Sequence, residues 1–206
     1  MRVDLANVDE LTNRMETVVG PLVADPSVGR LGLVSSAADP GLLGPLDRVD
    51  PVEMLRVYSV NVVAAAWLMG WIVRRSPRDA ALRIVNVSSG AALAPYPGLG
   101  TYGSTKAALR MAGMVLASEL DSRERTDERR DATILSYNPG TVDTAMQAAV
   151  RASTIETLPI VDVFKKLAAD GFLVPPSGPA AEIAAYLDSD GHARFTERRH
   201  GAATSA

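Results

Sequence analysis

Three apolar runs of strand length, over residues 31–36, 82–88 and 132–137, alternate with stretches of helical period, and this alternation constrains the fold more than any other feature of the chain. Such runs, ended by small-residue turns, read as strands covered on both faces, the environment of a parallel sheet. Parallel neighbours have to be joined by crossovers, and helical stretches stand where crossovers are needed, so the pattern predicts right-handed strand–helix–strand units. Helices are expected over residues 8–19, with Asn7 as N-cap and Pro21 ending or bending the segment, over 51–75, over 101–120 and over 179–187. The Gly- and Pro-rich stretch 39–50 reads as loop, and the mixed-charge run 123–131 as a solvated connection.

The second of the three runs leads into Ser88-Ser89-Gly90, and the helix after it opens with Tyr102-Gly103-Ser104-Thr105-Lys106. Residues four apart share a helix face, so the Lys106 ammonium can approach the Tyr102 phenol. Tyrosine alone titrates at about pH 10; a cation within about 4–6 Å lowers that value toward the range where the phenol exchanges a proton at neutral pH. Tyr102 therefore reads as a general acid. Ser89, at the carboxyl end of its strand, can donate a second hydrogen bond to the same substrate oxygen and stabilise charge developing there. A Tyr and a Lys at this spacing also occur on ordinary solvated helix faces. The surroundings raise the pair above that reading: Asn61 is a polar amide in the apolar stretch 57–63, and Asn138-Pro139-Gly140-Thr141-Val142-Asp143-Thr144 directly follows the third apolar run.

In this order the pieces resemble the short-chain dehydrogenase/reductase family over about residues 2–188, from Val3-Asp4-Leu5-Ala6-Asn7 through Asn61, Asn86 to Gly90, Tyr102 to Lys106, and Asn138 to Thr144. Ala92-Leu93-Ala94-Pro95-Tyr96-Pro97-Gly98 and Asp143-Thr144-Ala145-Met146-Gln147 make the likeness greatest to the sepiapterin reductase and benzil reductase type. The resemblance implies an α/β fold, a Rossmann-like doubly wound parallel sheet, and NAD(P)H-dependent reduction of a carbonyl. It implies that Ser89, Tyr102 and Lys106 are the catalytic triad and that Asn61 completes a proton relay through water to the lysine. Tyr102 and Lys106 would also meet the nicotinamide ribose, Asp4 the adenine ring, and Pro139, Gly140, Val142 and Thr144 the nicotinamide. NADP(H) is expected ahead of NAD(H), and the cofactor carries the hydride while the protein supplies orientation.

Two departures from the family pattern stand out. No glycine-rich turn for the pyrophosphate follows a first strand, and the fold is expected to be N-terminally truncated, with the first two strand–helix units absent. Gly29-Arg30-Leu31-Gly32 precedes a strand and reads as a turn. The strand at 31–36 would lack its partner, an unpaired edge in the middle of the full sheet, so an incomplete sequence is favoured over a naturally short chain. At Ser35-Ser36-Ala37-Ala38, where the family carries an Asn-Asn-Ala-Gly-like turn, Ser36 offers less hydrogen bonding than an amide and Ala38 replaces a glycine.

Composition narrows the alternatives. The chain has 206 residues, 47% of them hydrophobic, enough for one substantial core. The expectation is a single domain over 1–190 and a polar tail over 191–206, the tail being either mobile or a last edge strand around Phe195. A net charge of -3 without a basic patch argues against nucleic acid and anionic membrane as partners. The apolar stretch 60–73 is too short for a bilayer span, which needs about 20 residues. The absence of cysteine fits a reducing compartment, and with no recognisable leader at Met1 the default location is cytoplasmic. Both histidines, His192 and His200, lie in the tail, so no metal centre is expected.

Trp67 and Trp71, and Ala107, Met111 and Met114, form helix stripes that read first as core; by resemblance the two helices also form a homodimer interface. Leu93, Tyr96, Leu99, Met146, Gln147, Leu158 and Phe164 are the candidates for the substrate pocket, together with Ser89. They suit a small hydrophobic ketone, diketone or pterin-like carbonyl, or the corresponding alcohol. The alternative is a non-catalytic member of the family that has lost cofactor binding and acts through dimerisation.

Overall fold

The computed structural model describes residues 1–124 and 130–202. Four parallel strands, β1 (Arg30–Ser35), β2 (Ala81–Val87), β3 (Ala132–Asn138) and β4 (Phe195–Arg199), lie side by side in chain order. Eight helices are described: α1 (Val8–Arg14), α2 (Gly20–Val23), α3 (Pro51–Tyr58), α4 (Ala65–Arg75), α5 (Gly100–Glu124), α6 (Ala145–Arg151), α7 (Val161–Ala169) and α8 (Ser177–Asp188).

The apolar runs sort by strand alternation. Leu82, Ile84 and Ile134 point to one face, where Met69 and Ile72 of α4 and Leu109 of α5 cover them. Val85, Leu135 and Tyr137 point to the other, against Ile183, Tyr186 and Leu187 of α8. Each fully buried aliphatic side chain stabilises the fold by about 1.5–3 kcal/mol, so the two layers hold the sheet between them and make it doubly wound. At β1 the expectation of two covered faces fails: Leu31 and Leu33 join the first cluster while Arg30, Gly32 and Val34 are exposed.

One charge lies inside the second run. Arg83 is only 1% exposed, and its guanidinium forks onto Asp131 at 2.8 and 2.9 Å and reaches Asp190 at 2.5 Å. A buried cation requires such partners, and these tie β2 to the start of β3 and to the connection after α8.

Several boundaries differ from the sequence expectation. Pro21 does not end the first helix: a π-helical turn, Met15–Val19, intervenes, and Pro21 sits in the first turn of α2, where a missing N–H is tolerated. The helix expected over 51–75 is continuous but contains a second π segment, Ser59–Ala64, around Asn61. By length and composition alone Pro51–Arg75 would suffice to cross a membrane, unlike the shorter stretch 60–73; in this fold Met69, Trp71, Ile72 and Val73 are buried in the core. The region after Thr144 contains α6 and α7, for which the sequence reading gives no helix. In the segment read as a polar tail, β4 pairs with β3 from Ile134↔Phe195 to Asn138↔Arg199. Most of the expected charged connection at 123–131 lies outside the described residues.

Candidate active site

Ser89 follows β2 and is held extended at the N-cap of a short 3-10 turn, Gly90–Ala92, its hydroxyl accepting from the Ala91 N–H at 3.2 Å. That turn packs against the first turns of α5. A Cβ on Gly103 would lie 3.0 Å from the Ala91 carbonyl, so the missing side chain permits the approach that brings Ser89 to Tyr102.

Tyr102 is half-buried, and burial pushes its phenol above the ordinary tyrosine range while the hydrogen bond with the Ser89 hydroxyl opposes the rise. The expected lowering by Lys106 is not found. The Lys106 ammonium stands 5.6 Å from the centre of the Tyr102 ring and donates to the Val87 carbonyl at 2.8 Å. Desolvation dominates because Lys106 is 2% exposed; the same burial lowers the ammonium to about 8.

Asn61 is buried in the π segment. Its Oδ1 accepts from the Asp39 N–H at 2.7 Å, and its Nδ2 donates to the Asp39 carbonyl at 2.7 Å and to Thr105 Oγ1 at 3.1 Å. None of these bonds reaches Lys106. The two bonds with Asp39 pin the loop after β1, whose next residue, Pro40, borders the cleft, and the other amide donor ties the π segment to α5.

The loop after β3 is equally ordered. Asn138 Oδ1 accepts from the Gly140 N–H at 3.0 Å, and Gly140 adopts φ +76°, a conformation that favours glycine. Val174 braces the loop by donating its N–H to the Thr141 carbonyl and accepting from Asp143, both at 2.9 Å. Thr144 caps α6 by accepting from the Gln147 N–H at 3.3 Å.

These pieces enclose a cleft of about 410 Å³. Of the expected residues, Ser89, Tyr96, Leu99, Tyr102, Gly140, Met146 and Phe164 line it. Leu93 does not: it is 68% exposed and borders a separate apolar groove beyond the 91–100 loop. Leu158 is fully buried in a cluster with Leu99, Val150 and Val161, so it supports the wall from behind. Asp4 lies outside the cleft, exposed, accepting from the Ala6 N–H at 2.9 Å in the turn before α1. Sequence reasoning missed Ile160, Val163 and Leu167 on and beside α7, and Arg199 at the end of β4. The 3.6 period of α7 was a usable signal for the first three; nothing local marked Arg199.

The residues present fit the nicotinamide end of a dinucleotide. Lys106 uses one of its three donors on Val87, leaving others for ribose hydroxyls, and Asn138 and Gly140 line one wall of the cleft.

A family model described as short chain dehydrogenase matches residues 1–154. Benzil reductase ((S)-benzoin forming) of Bacillus subtilis (strain 168) is 29% identical over 191 residues, which cover 91% of this chain and 75% of that protein. Sepiapterin reductase of Bos taurus is 32% identical over 149 residues, 69% of this chain and 52% of that protein. The chain thus spans about three quarters of the bacterial relative and about half of the bovine one. Among solved structures, the KRED1-Pglu enzyme superposes with a TM-score of 0.75 at 24% identity, over 94% of this chain and 77% of that one. The angucycline C-6 ketoreductase LanV with bound NADP does so with a TM-score of 0.69 at 23% identity, over 96% and 72%. At these identities the superpositions show the fold.

Proposed function

The chain belongs to the short-chain dehydrogenase family of oxidoreductases, and on that premise we propose that it reduces the carbonyl of a small, largely apolar substrate, with Tyr102 as general acid. The observation that carries the reading is the convergence of Ser89 and Tyr102 on one apolar cleft, above a buried Lys106.

A reduced nicotinamide dinucleotide, when bound, supplies the hydride that goes to the carbonyl carbon; NADP(H) is the form we favour. Tyr102 gives its proton to the carbonyl oxygen. A phenol kept above its ordinary range by burial is fully protonated at neutral pH, as a resting acid has to be. Ser89 donates to the same oxygen, and such a donor contributes about 10²–10³-fold. Lys106 holds the ribose hydroxyls and places a positive charge beneath the phenolate that remains. Asn61, through Asp39 and Pro40, positions the far lip of the cleft. The α7 wall, with Val163 and Phe164, excludes water and selects apolar substrates.

Titration with NADPH and NADH, followed by turnover of benzil and of sepiapterin, tests this reading. Wild-type turnover should fall about 10²–10⁴-fold in Tyr102→Phe while cofactor affinity stays within a few-fold. Equal turnover by Tyr102→Phe would remove it from the acid's role.

The assembly is proposed to be a homodimer through α4 and α5. Met111 and Val115 of α5, taken from the sequence as core or left unassigned, are instead 54% and 47% exposed and edge an apolar groove with Met69, Gly70 and Ala112. Cytoplasmic location accords with the absence of cysteine.

A further inference from the structure

The cleft holds one feature that carbonyl reduction does not use. Its lining is apolar apart from Ser89, Tyr96, Tyr102, Asn138, Thr141 and Arg199, and no described Asp or Glu is among the lining residues. Arg199 is exposed, and its guanidinium makes no hydrogen bond or ion pair with any described residue. Elsewhere in the fold arginines are paired: Arg110 of α5 holds Glu197 at 2.5 and 2.6 Å, and Arg83 of β2 holds Asp131 and Asp190.

Register places this cation beside the reacting centre. Residues two apart on a strand share a face, so Arg199 points to the α5 side as Glu197 does, one step closer to the carboxyl rim of the sheet. On α5, Tyr102, Lys106 and Arg110 form one stripe, and from Arg110 that stripe climbs toward the same rim. The pairing Asn138↔Arg199 puts Arg199 level with the residue that follows Tyr137↔Val87, which is Ser88, two strands away, or about 10 Å. The strand end is held: the His200 N–H donates to the Asn138 carbonyl at 2.8 Å, and His200 Nδ1 lies 2.7 Å from Glu182 Oε1. In the doubly wound order a strand carrying a pyrophosphate turn would pair with β1, at the edge of the sheet opposite β4, which would put Arg199 on the substrate side.

We infer that Arg199 is a specificity-determining residue that receives a carboxylate on the substrate, so that the preferred substrate is a ketone carrying an acid group on an apolar spacer. The inference rests on the carbonyl-reductase reading for the reaction, but not for the binding. The low polarity of the surrounding cleft strengthens a charge-assisted, bidentate contact, and no acidic side chain of the lining competes for it.

The test compares para-acetylbenzoate with para-acetylbenzamide, two ligands of one shape that differ in charge, on the full chain in the presence of NADPH. Affinity is read by calorimetry and kcat/KM by NADPH oxidation, for wild type, Arg199→Gln and Arg199→Lys. The wild type should favour the acid. Arg199→Gln should lower the acid-to-amide ratio about tenfold in affinity, and in kcat/KM where there is turnover, Arg199→Lys should restore part of it, and salt should weaken acid binding in the wild type and in Arg199→Lys but not in Arg199→Gln. A ratio unchanged by Arg199→Gln, or no binding of the acid, overturns the inference. Acid-selective binding lost in Arg199→Gln but without turnover of either ligand sustains the Arg199 site and defeats carbonyl reduction; turnover of both ligands with no charge preference does the reverse.

Discussion

At the scale of single residues the site turns on two side chains whose protonation depends on burial more than on each other. Spacing alone has Lys106 lowering Tyr102, because a nearby cation favours phenolate. The fold buries both groups and sends the ammonium to the Val87 carbonyl, so the phenol rises and the lysine falls to about 8. A lysine with a lowered pKa is charged below that value and neutral above it. Reduction should therefore be level below pH about 8 and decline above it, as the cation beneath the phenolate is lost. The pH dependence of kcat/KM checks this, and Lys106→Met should abolish that inflection along with most of the rate.

At the scale of elements, short irregular segments do the positioning. The π segment Ser59–Ala64 turns Asn61 toward Asp39, whereas an apolar helix of regular period gives no sign of it in the sequence. The 91–100 loop closes over the cleft at Gly98, where φ is +87° and a Cβ would lie 2.5 Å from the Thr157 carbonyl. Neither the backbone conformation nor the space admits a side chain. Gly98→Ala should destabilise the fold by about 1–3 kcal/mol in denaturant unfolding, with loss of turnover as Tyr96 shifts. Strand and helix identities, by contrast, were legible, because period 2 and period 3.6 patterns are local. Their ends moved by one or a few residues, since hydrogen-bond ladders and caps set termini. The helices α6 and α7 were missed because α6 is short and α7 buries few residues, Val161 among them.

At the scale of the whole molecule, the two-sided core and the α4–α5 face decide how the site is mounted and what the molecule meets. Light scattering should give a dimer for the wild type, and Met111→Glu, which places charge in the exposed apolar groove, should shift it toward monomer without lowering its melting temperature by more than a few degrees. The sequence by itself determined the parallel α/β class, the family, and the placement of Ser89, Tyr102 and Lys106 in register with one strand end and one helix face. It could do so because those relations are set by short-range periodicity and by motifs contiguous in the chain. Only the tertiary structure decided that Leu93 leaves the cleft, that Leu158 is buried behind it, that Met111 is exposed, and that Arg199 arrives beside Asn138. Burial, and with it protonation and charge pairing, is a property of what packs against a residue. Some of those neighbours come from segments far apart in the chain, such as Asn138 and Arg199, which no local pattern brings together.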